Sequence, residues 1–260
     1  HQEHKDVVSF AVKHLESLSK QGKRVPFLIA GAGSNSTREA VELTAHAKKA
    51  GATVCLSITP YYNRPTQAGL FAHYTAIADE VGLPIIPYNV PSRTGVNLEA
   101  DTIVRLSEHP LIVGVKEASG NTTQISEIVR RTRDDFLVFS GDDAMTLSVL
   151  AMGGDGVISV SANIAPGDMT EMCRLAMAGD FIKARRLHHK QVPLIQALFR
   201  ETNPIPVKTA MNLLAGQASF SGAPCWPDVG ELRSPLVPIS DANLRHLKTA
   251  MREYGLSVPE

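Results

Sequence analysis

Six short apolar runs, separated by longer amphipathic stretches, constrain this chain more than anything else in it. Val25–Ala30, Thr53–Thr59, Pro84–Tyr88, Ile112–Lys116, Phe136–Ser140 and Gly156–Val160 recur roughly every 20–30 residues, the length of one βα unit. The runs are continuously apolar rather than alternating, as strands are when both faces are buried. Helical patterns lie between them: Thr37–Ala50, Thr66–Glu80, Glu99–Glu108, Asn121–Arg133 and Asp143–Gly153. The first of these opens on an N-cap residue, Ser36, with Glu39 placed to complete a capping box. Repeated right-handed βα units give a barrel or a doubly wound parallel sheet.

After residue 163 the pattern becomes purely helical, over Pro166–Ala178, Asp180–Phe199, Ile205–Leu214 and Asp241–Tyr254. Gly216–Ser240, rich in Gly, Pro and Ser, reads as an irregular connection. The division expected is a βα portion over residues 1–163 and C-terminal helices over 164–260. Six strands do not close a (β/α)8 barrel, which takes eight. His1 stands in what reads as the first turn of a helix. The alternatives are an open sheet or a barrel whose first two βα units are missing, and the helical start favours the second.

Composition narrows the partners. Lys plus Arg number 26 and Asp plus Glu number 26, so no basic excess points to nucleic acid or an anionic membrane. No apolar run approaches the length of a membrane span. Cys55, Cys173 and Cys225 are scattered, form no metal-ligand cluster, and read as reduced thiols of a cytoplasmic protein. Small molecules and copies of the same chain are the partners expected.

In parallel α/β folds the chemistry sits at the carboxyl ends of the strands. All six ends here carry polar or glycine-rich sequence: Gly31-Ala-Gly-Ser-Asn-Ser, Thr59-Pro-Tyr-Tyr-Asn-Arg-Pro-Thr, Tyr88-Asn-Val-Pro-Ser-Arg-Thr-Gly, Lys116-Glu-Ala-Ser-Gly-Asn, Ser140-Gly-Asp-Asp and Ser159-Val-Ser-Ala-Asn. Lys116, ending an apolar run, is the most informative. Desolvation favours the neutral amine, which attacks a ketone to form an imine. A lone lysine in this position also fits a snorkelling side chain or a pair with Glu117. Tyr88, ending the preceding strand, is a proton carrier of the kind imine formation needs, and it also fits a buried tyrosine with one hydrogen bond. Arg93 carries a fork suited to a carboxylate, or to a surface salt bridge. Tyr61 and Tyr62 fit packing or interface roles. Gly31-Ala-Gly lacks the third glycine of a dinucleotide fingerprint, where Ser36 stands. Asp142-Asp143 fits an N-cap better than a metal site. No metal or cofactor is expected.

Taken in order, Thr59-Pro-Tyr-Tyr-Asn-Arg-Pro, Tyr88-Asn-Val-Pro-Ser-Arg-Thr-Gly, Gly114-Val-Lys-Glu-Ala-Ser-Gly, Ser140-Gly-Asp-Asp, Gly156-Val-Ile-Ser-Val and Asn203-Pro-Ile-Pro-Val-Lys closely resemble the dihydrodipicolinate synthases. These belong to the wider family of pyruvate-dependent class I aldolases that includes N-acetylneuraminate lyase. The resemblance covers essentially the whole chain. It implies a TIM (β/α)8-type barrel with a C-terminal helical region, assembled as a homotetramer. The implied reaction condenses pyruvate with aspartate 4-semialdehyde in lysine biosynthesis. Lys116 would form the imine, Tyr88 and Tyr62 would relay protons, Tyr62 across a dimer interface, and Tyr61 would pack there. Arg93 would hold the semialdehyde carboxylate, and Gly141 and the Ile158 carbonyl would line the site. An inhibitory lysine would meet His1, His4, Asn35, Glu39 and Tyr61.

The chain departs from the family pattern in three places. It has no Gly-Thr-Thr-Gly-Glu loop before the position of His1, its first helix ends long at Ser17–Gly22, and Gly222–Gly230 reads as an insertion. A neuraminate or 2-keto-sugar-acid lyase on the same scaffold, or a truncated chain of little activity, are the alternatives.

Overall fold

The computed structural model describes residues 2–217 and 226–259. It divides into two units: His1–Gly141 with Met152–Asp155, and Asp142–Ala151 with Gly156–Glu260. In the first, helix α1 (Gln2–Lys20) precedes strand β1 (Ile29–Gly31). There follow α2 (Thr37–Ala50), β2 (Val54–Ile58), α3 (Gln67–Val81), β3 (Ile85–Asn89), the single turn α4 (Pro91–Thr94), α5 (Ala100–Ser107), β4 (Gly114–Glu117), α6 (Thr122–Arg131) and β5 (Leu137–Ser140). Strands β1 to β5 lie side by side in chain order, and each neighbouring pair is parallel. This is the α/β plan that the six apolar runs predict.

The first core is built where the helices cover the sheet. Ile85, Leu70, Tyr74, Ile77, Leu98, Ile103, Leu106, Ile112 and Ile128 are buried in one cluster with Cys55. Burial raises the Cys55 thiol to about 12, so it behaves as a small core side chain. Helix ends follow local chemistry. Thr66 caps α3 by accepting from the Gly69 N–H at 3.2 Å, and Asn121 caps α6 by accepting from the Gln124 N–H at 3.1 Å. Ser36 does occupy the N-cap of α2, but its side chain accepts no capping bond. The capping box expected there is therefore not formed on its serine side. Glu39 instead accepts a hydrogen bond from Ser34 Oγ.

The second unit holds α7 (Thr146–Ala151), β6 (Gly156–Val157), a 3-10 turn (Ser161–Asn163), α8 (Pro166–Met177), α9 (Phe181–Leu198), α10 (Ile205–Leu214) and α11 (Asp241–Tyr254). Leu194, Leu198, Ala210, Leu214, Trp226, Leu247 and Met251 form one of its cores. Strand β6 is shorter than the run Gly156–Val160. The Val160 and Ser161 N–H groups donate to the Asp143 carboxylate, at 2.9 and 3.3 Å, which turns the chain. Asp142 accepts from the Ala144 N–H at 2.8 Å in the turn before α7, which starts only at Thr146. Asp143 is a tether for the Ser159–Ser161 turn. Cys225 and the first residues of the expected insertion lie outside the described residues.

His73 on α3 reports on the first core. Its Nδ1 is hydrogen-bonded to Thr37 Oγ1 of α2 at 2.9 Å, and its buried Nε2 has no partner. Burial lowers its pKa from 6.5 to about 4. Between those values the unfolded chain binds a proton that the folded chain refuses, so stability falls as pH falls from about 6.5 towards 4. The loss amounts to about 3 kcal/mol. Urea midpoints taken at pH 7.5 and 4.5 should differ far less in His73→Phe than in the wild type, because the substitution removes this titration.

Candidate active site

The site begins with a missing hydrogen. In β3, Ile85, Pro87 and Asn89 turn their backbone polar groups towards β4. Ile85 donates to Leu111 O at 2.8 Å and accepts from Val113 N at 3.1 Å, and Asn89 O accepts from Ala118 N at 2.8 Å. Pro87, between them, has no N–H to give. The ladder takes up an extra residue at this point. Ile85 pairs with Ile112, whereas Tyr88, three residues on, pairs with Lys116, four residues on. Prolines inside sheets occur at such bulges, and bulges re-aim side chains.

The consequence is direct. In the register set by Ile85 and Ile112, Lys116 would face Asn89, and Tyr88 would project from the other face of the sheet. The extra residue makes Tyr88 and Lys116 cross-strand partners on one face. The Lys116 Nζ lies over the Tyr88 ring, 4.0 Å from its centroid. Both side chains are half-buried, so the amine is partly shielded yet reachable. On the β5 side Lys116 pairs in register with Phe139. Lys116 and Tyr88 were legible as strand-end residues. What the fold adds is the register that sets the nitrogen over the tyrosine ring.

Gly141 follows β5. A Cβ at this position would stand 2.7 Å from Ala118 Cβ and 3.1 Å from Lys116 Cε. Its N–H donates to Glu117 O at 2.7 Å, which holds the end of β5 against the end of β4. A side chain here would collide first with Ala118 Cβ and would also crowd the lysine stem.

The remaining expected residues fall elsewhere. Arg93 is exposed on α4, the turn that leaves β3. Tyr62 is 91% exposed and holds a left-handed backbone, φ 70°, after β2. Ile158 belongs to the second unit. His4, Asn35, Glu39 and Tyr61 surround the loop after β1: His4 Nε2 is hydrogen-bonded to Gly31 O at 2.6 Å, Asn35 donates to Tyr61 O at 3.2 Å, and Ser34 donates to Glu39. His1, the fifth residue of that set, lies outside the described residues. Gly33, once a hint of dinucleotide binding, serves close packing, since a Cβ there would collide with the Ile58 backbone. Among the described residues no three His, Cys, Asp or Glu side chains gather into a metal-binding group.

One set of residues escaped the sequence reading. Glu117 and Asn89, the register pair directly after Lys116 and Tyr88, are 1% and 0% exposed. They share a hydrogen-bonded cluster with Asn97, Ser119 and Gln124. The available signal was a charged residue and an amide closing two otherwise apolar strands.

Comparison with known proteins gives a consistent result. The model of the dihydrodipicolinate synthetase family matches residues 1–254. The chain is 50% identical over 257 residues to 4-hydroxy-tetrahydrodipicolinate synthase of Nitratidesulfovibrio vulgaris (strain Miyazaki F), spanning 98% of this chain and 82% of that one. It is similar to the crystal structure of dihydrodipicolinate synthase from Aquifex aeolicus, with 44% identity, a TM-score of 0.89, and 100% and 83% of the two chains covered. The lysine-bound enzyme from Cyanidioschyzon merolae is 43% identical with a TM-score of 0.83, over 89% and 75% of the chains.

Substituting Gly141 with alanine should force the ends of β4 and β5 apart at Ala118 and displace the Lys116 stem. At least about a tenfold loss of kcat/KM is expected, because a misplacement near 1 Å is costly at a reacting atom. Steady-state kinetics on the folded variant will measure it.

Proposed function

The chain belongs to the dihydrodipicolinate synthetase family, and on that premise we propose that Lys116 is the covalent nucleophile of its reaction. The enzyme condenses pyruvate with L-aspartate 4-semialdehyde to give 4-hydroxy-tetrahydrodipicolinate, on the route to lysine. The names of its relatives favour this over cleavage of N-acetylneuraminate or a 2-keto sugar acid.

In the proposed route the neutral Lys116 amine attacks the keto carbon of pyruvate. The resulting carbinolamine loses water to leave an imine. Loss of a methyl proton gives an enamine, whose carbon attacks the aldehyde and forms the new C–C bond. The iminium is the electron sink, so the route uses no cofactor. Tyr88 passes the protons at the carbinolamine and imine. The observation that carries this assignment is the Lys116 Nζ held 4.0 Å from the Tyr88 ring centroid. Tyr62 completes the relay from a second copy, in keeping with its solvent-facing ring. Tyr61 packs at that interface, Arg93 grips the semialdehyde carboxylate through its fork, and Gly141 and the Ile158 carbonyl line the site.

We read the sheet as part of a (β/α)8-type barrel, residues 1–163 as its barrel portion and 164–260 as the C-terminal helices. The assembly we infer is a cytoplasmic homotetramer. Lysine is the proposed feedback ligand at His1, His4, Asn35, Glu39 and Tyr61. Supporting that site are the hydrogen bonds around Gly31–Glu39 and a cleft of about 280 Å³ lined by Lys5, Ser36, Arg38, Glu39, Glu42 and Leu43.

Incubation with pyruvate and borohydride followed by mass spectrometry tests the central claim. One reduced pyruvate adduct is expected on the peptide carrying Lys116, and none in Lys116→Ala. An adduct on another lysine would refute the assignment. Tyr88→Phe should still bind pyruvate but lose about a hundredfold in kcat, within the range of lost general acid–base catalysis.

A further inference from the structure

We propose that Glu117 is a positioning residue for the reaction, holding Lys116 in register with Tyr88 through a buried carboxylate brace; this rests on the imine reading above. The argument starts from alternation. Tyr88 and Lys116 are register partners on one face, so Asn89 and Glu117, the next pair, point to the other. There the Glu117 carboxylate is 1% exposed. A carboxylate in such a place must be hydrogen-bonded throughout.

It is, and every donor is a neutral amide. Oε1 accepts from the Ser119 N–H at 2.6 Å and from Asn89 Nδ2 at 3.3 Å, while Oε2 accepts from Asn89 Nδ2 at 3.0 Å and Gln124 Nε2 at 3.2 Å. These donors stand on three different pieces of the site. Asn89 ends the strand that carries Tyr88. Ser119 lies in the turn that leaves Lys116. Gln124 opens α6. The same amides reach a fourth piece, the segment after Arg93: Asn89 Nδ2 donates to Asn97 Oδ1 at 2.8 Å, Asn89 Oδ1 accepts from Leu98 N at 2.9 Å, and Asn97 Nδ2 donates to Gln124 Oε1 at 2.8 Å.

The brace thus joins the ends of β3 and β4, the turn after Lys116, and the chain that returns from Arg93. It sits one residue beyond a ladder already offset at Pro87, where backbone bonding alone leaves a gap. The cluster also makes a charged acid irreplaceable by its amide. Leu98 N fixes the orientation of Asn89, and Asn97 fixes that of Gln124. Both carboxylate oxygens therefore face donors, and a glutamine at 117 sets an NH2 against another N–H whichever way it lies.

The test compares wild type, Glu117→Gln and Gln124→Leu as full-length proteins, with thermal midpoints, kcat, pyruvate KM and the rate of borohydride-trappable imine formation. A positioning role predicts that Glu117→Gln, once folded, loses at least about tenfold in kcat and in imine formation while KM moves by less than about threefold, since near-attack geometry is lost. Gln124→Leu keeps the charge and loses one donor, and should lose about threefold in kcat. A residue that served stability alone would lower the midpoint and leave both rates of the folded protein unchanged; wild-type rates in folded Glu117→Gln overturn the proposal. Should that variant fail to fold, wild-type kcat in Gln124→Leu overturns it instead. A wild-type protein that traps no pyruvate refutes the imine reading itself, which separates the two failures.

Discussion

The register between β3 and β4 is the constraint on which the site depends. It arises from one absent donor. Pro87 cannot bond to β4, the ladder gains a residue there, and Lys116 moves from facing Asn89 to facing Tyr88. A side-chain period of two makes this shift all-or-none: a slip of one residue reverses the face on which the lysine projects. Chemistry that needs an amine beside a phenol is thereby set by backbone geometry before any side-chain preference acts.

Around that register the molecule spends its buried polarity with economy. Glu117, Asn89 and Asp143 are nearly inaccessible, and each serves as a staple between segments distant in sequence. None is answered by an opposite charge in the bonds described. Amide and hydroxyl donors satisfy them instead, which fixes geometry more tightly than a mobile ion pair on long side chains. Gly141 plays the complementary part by leaving room, since Ala118 and the Lys116 stem occupy the space a side chain would need.

Much of this was legible in the chain. Strands were recognisable because continuous apolar runs bounded by Gly and Pro carry a local signal, and α2, α10 and α11 fall where periodicity puts them. Strand-end polarity pointed to Lys116 and Tyr88 for the same reason. The sequence was less informative about ends and neighbours. Asp143 read as a cap and is a tether, because only the folded chain brings Ser159–Ser161 within its reach. Glu39 read as half of a capping box and bonds to Ser34 instead. A pair between Lys116 and its neighbour Glu117 was only an alternative in the sequence, and strand alternation sends Glu117 to the opposite face.

By itself, then, the sequence determined the βα plan, the placement of polar residues at strand ends, and the family to which the motifs point, because each is encoded in local pattern. Tertiary structure alone decided which residue stands opposite Lys116, which amides satisfy Glu117, and which tyrosine turns to solvent. Those are properties of pairing between segments some 28 residues apart, as Tyr88 and Lys116 are. Pairing of that kind is set by backbone donors and by the space between packed elements, and no local window of sequence contains both sides of it.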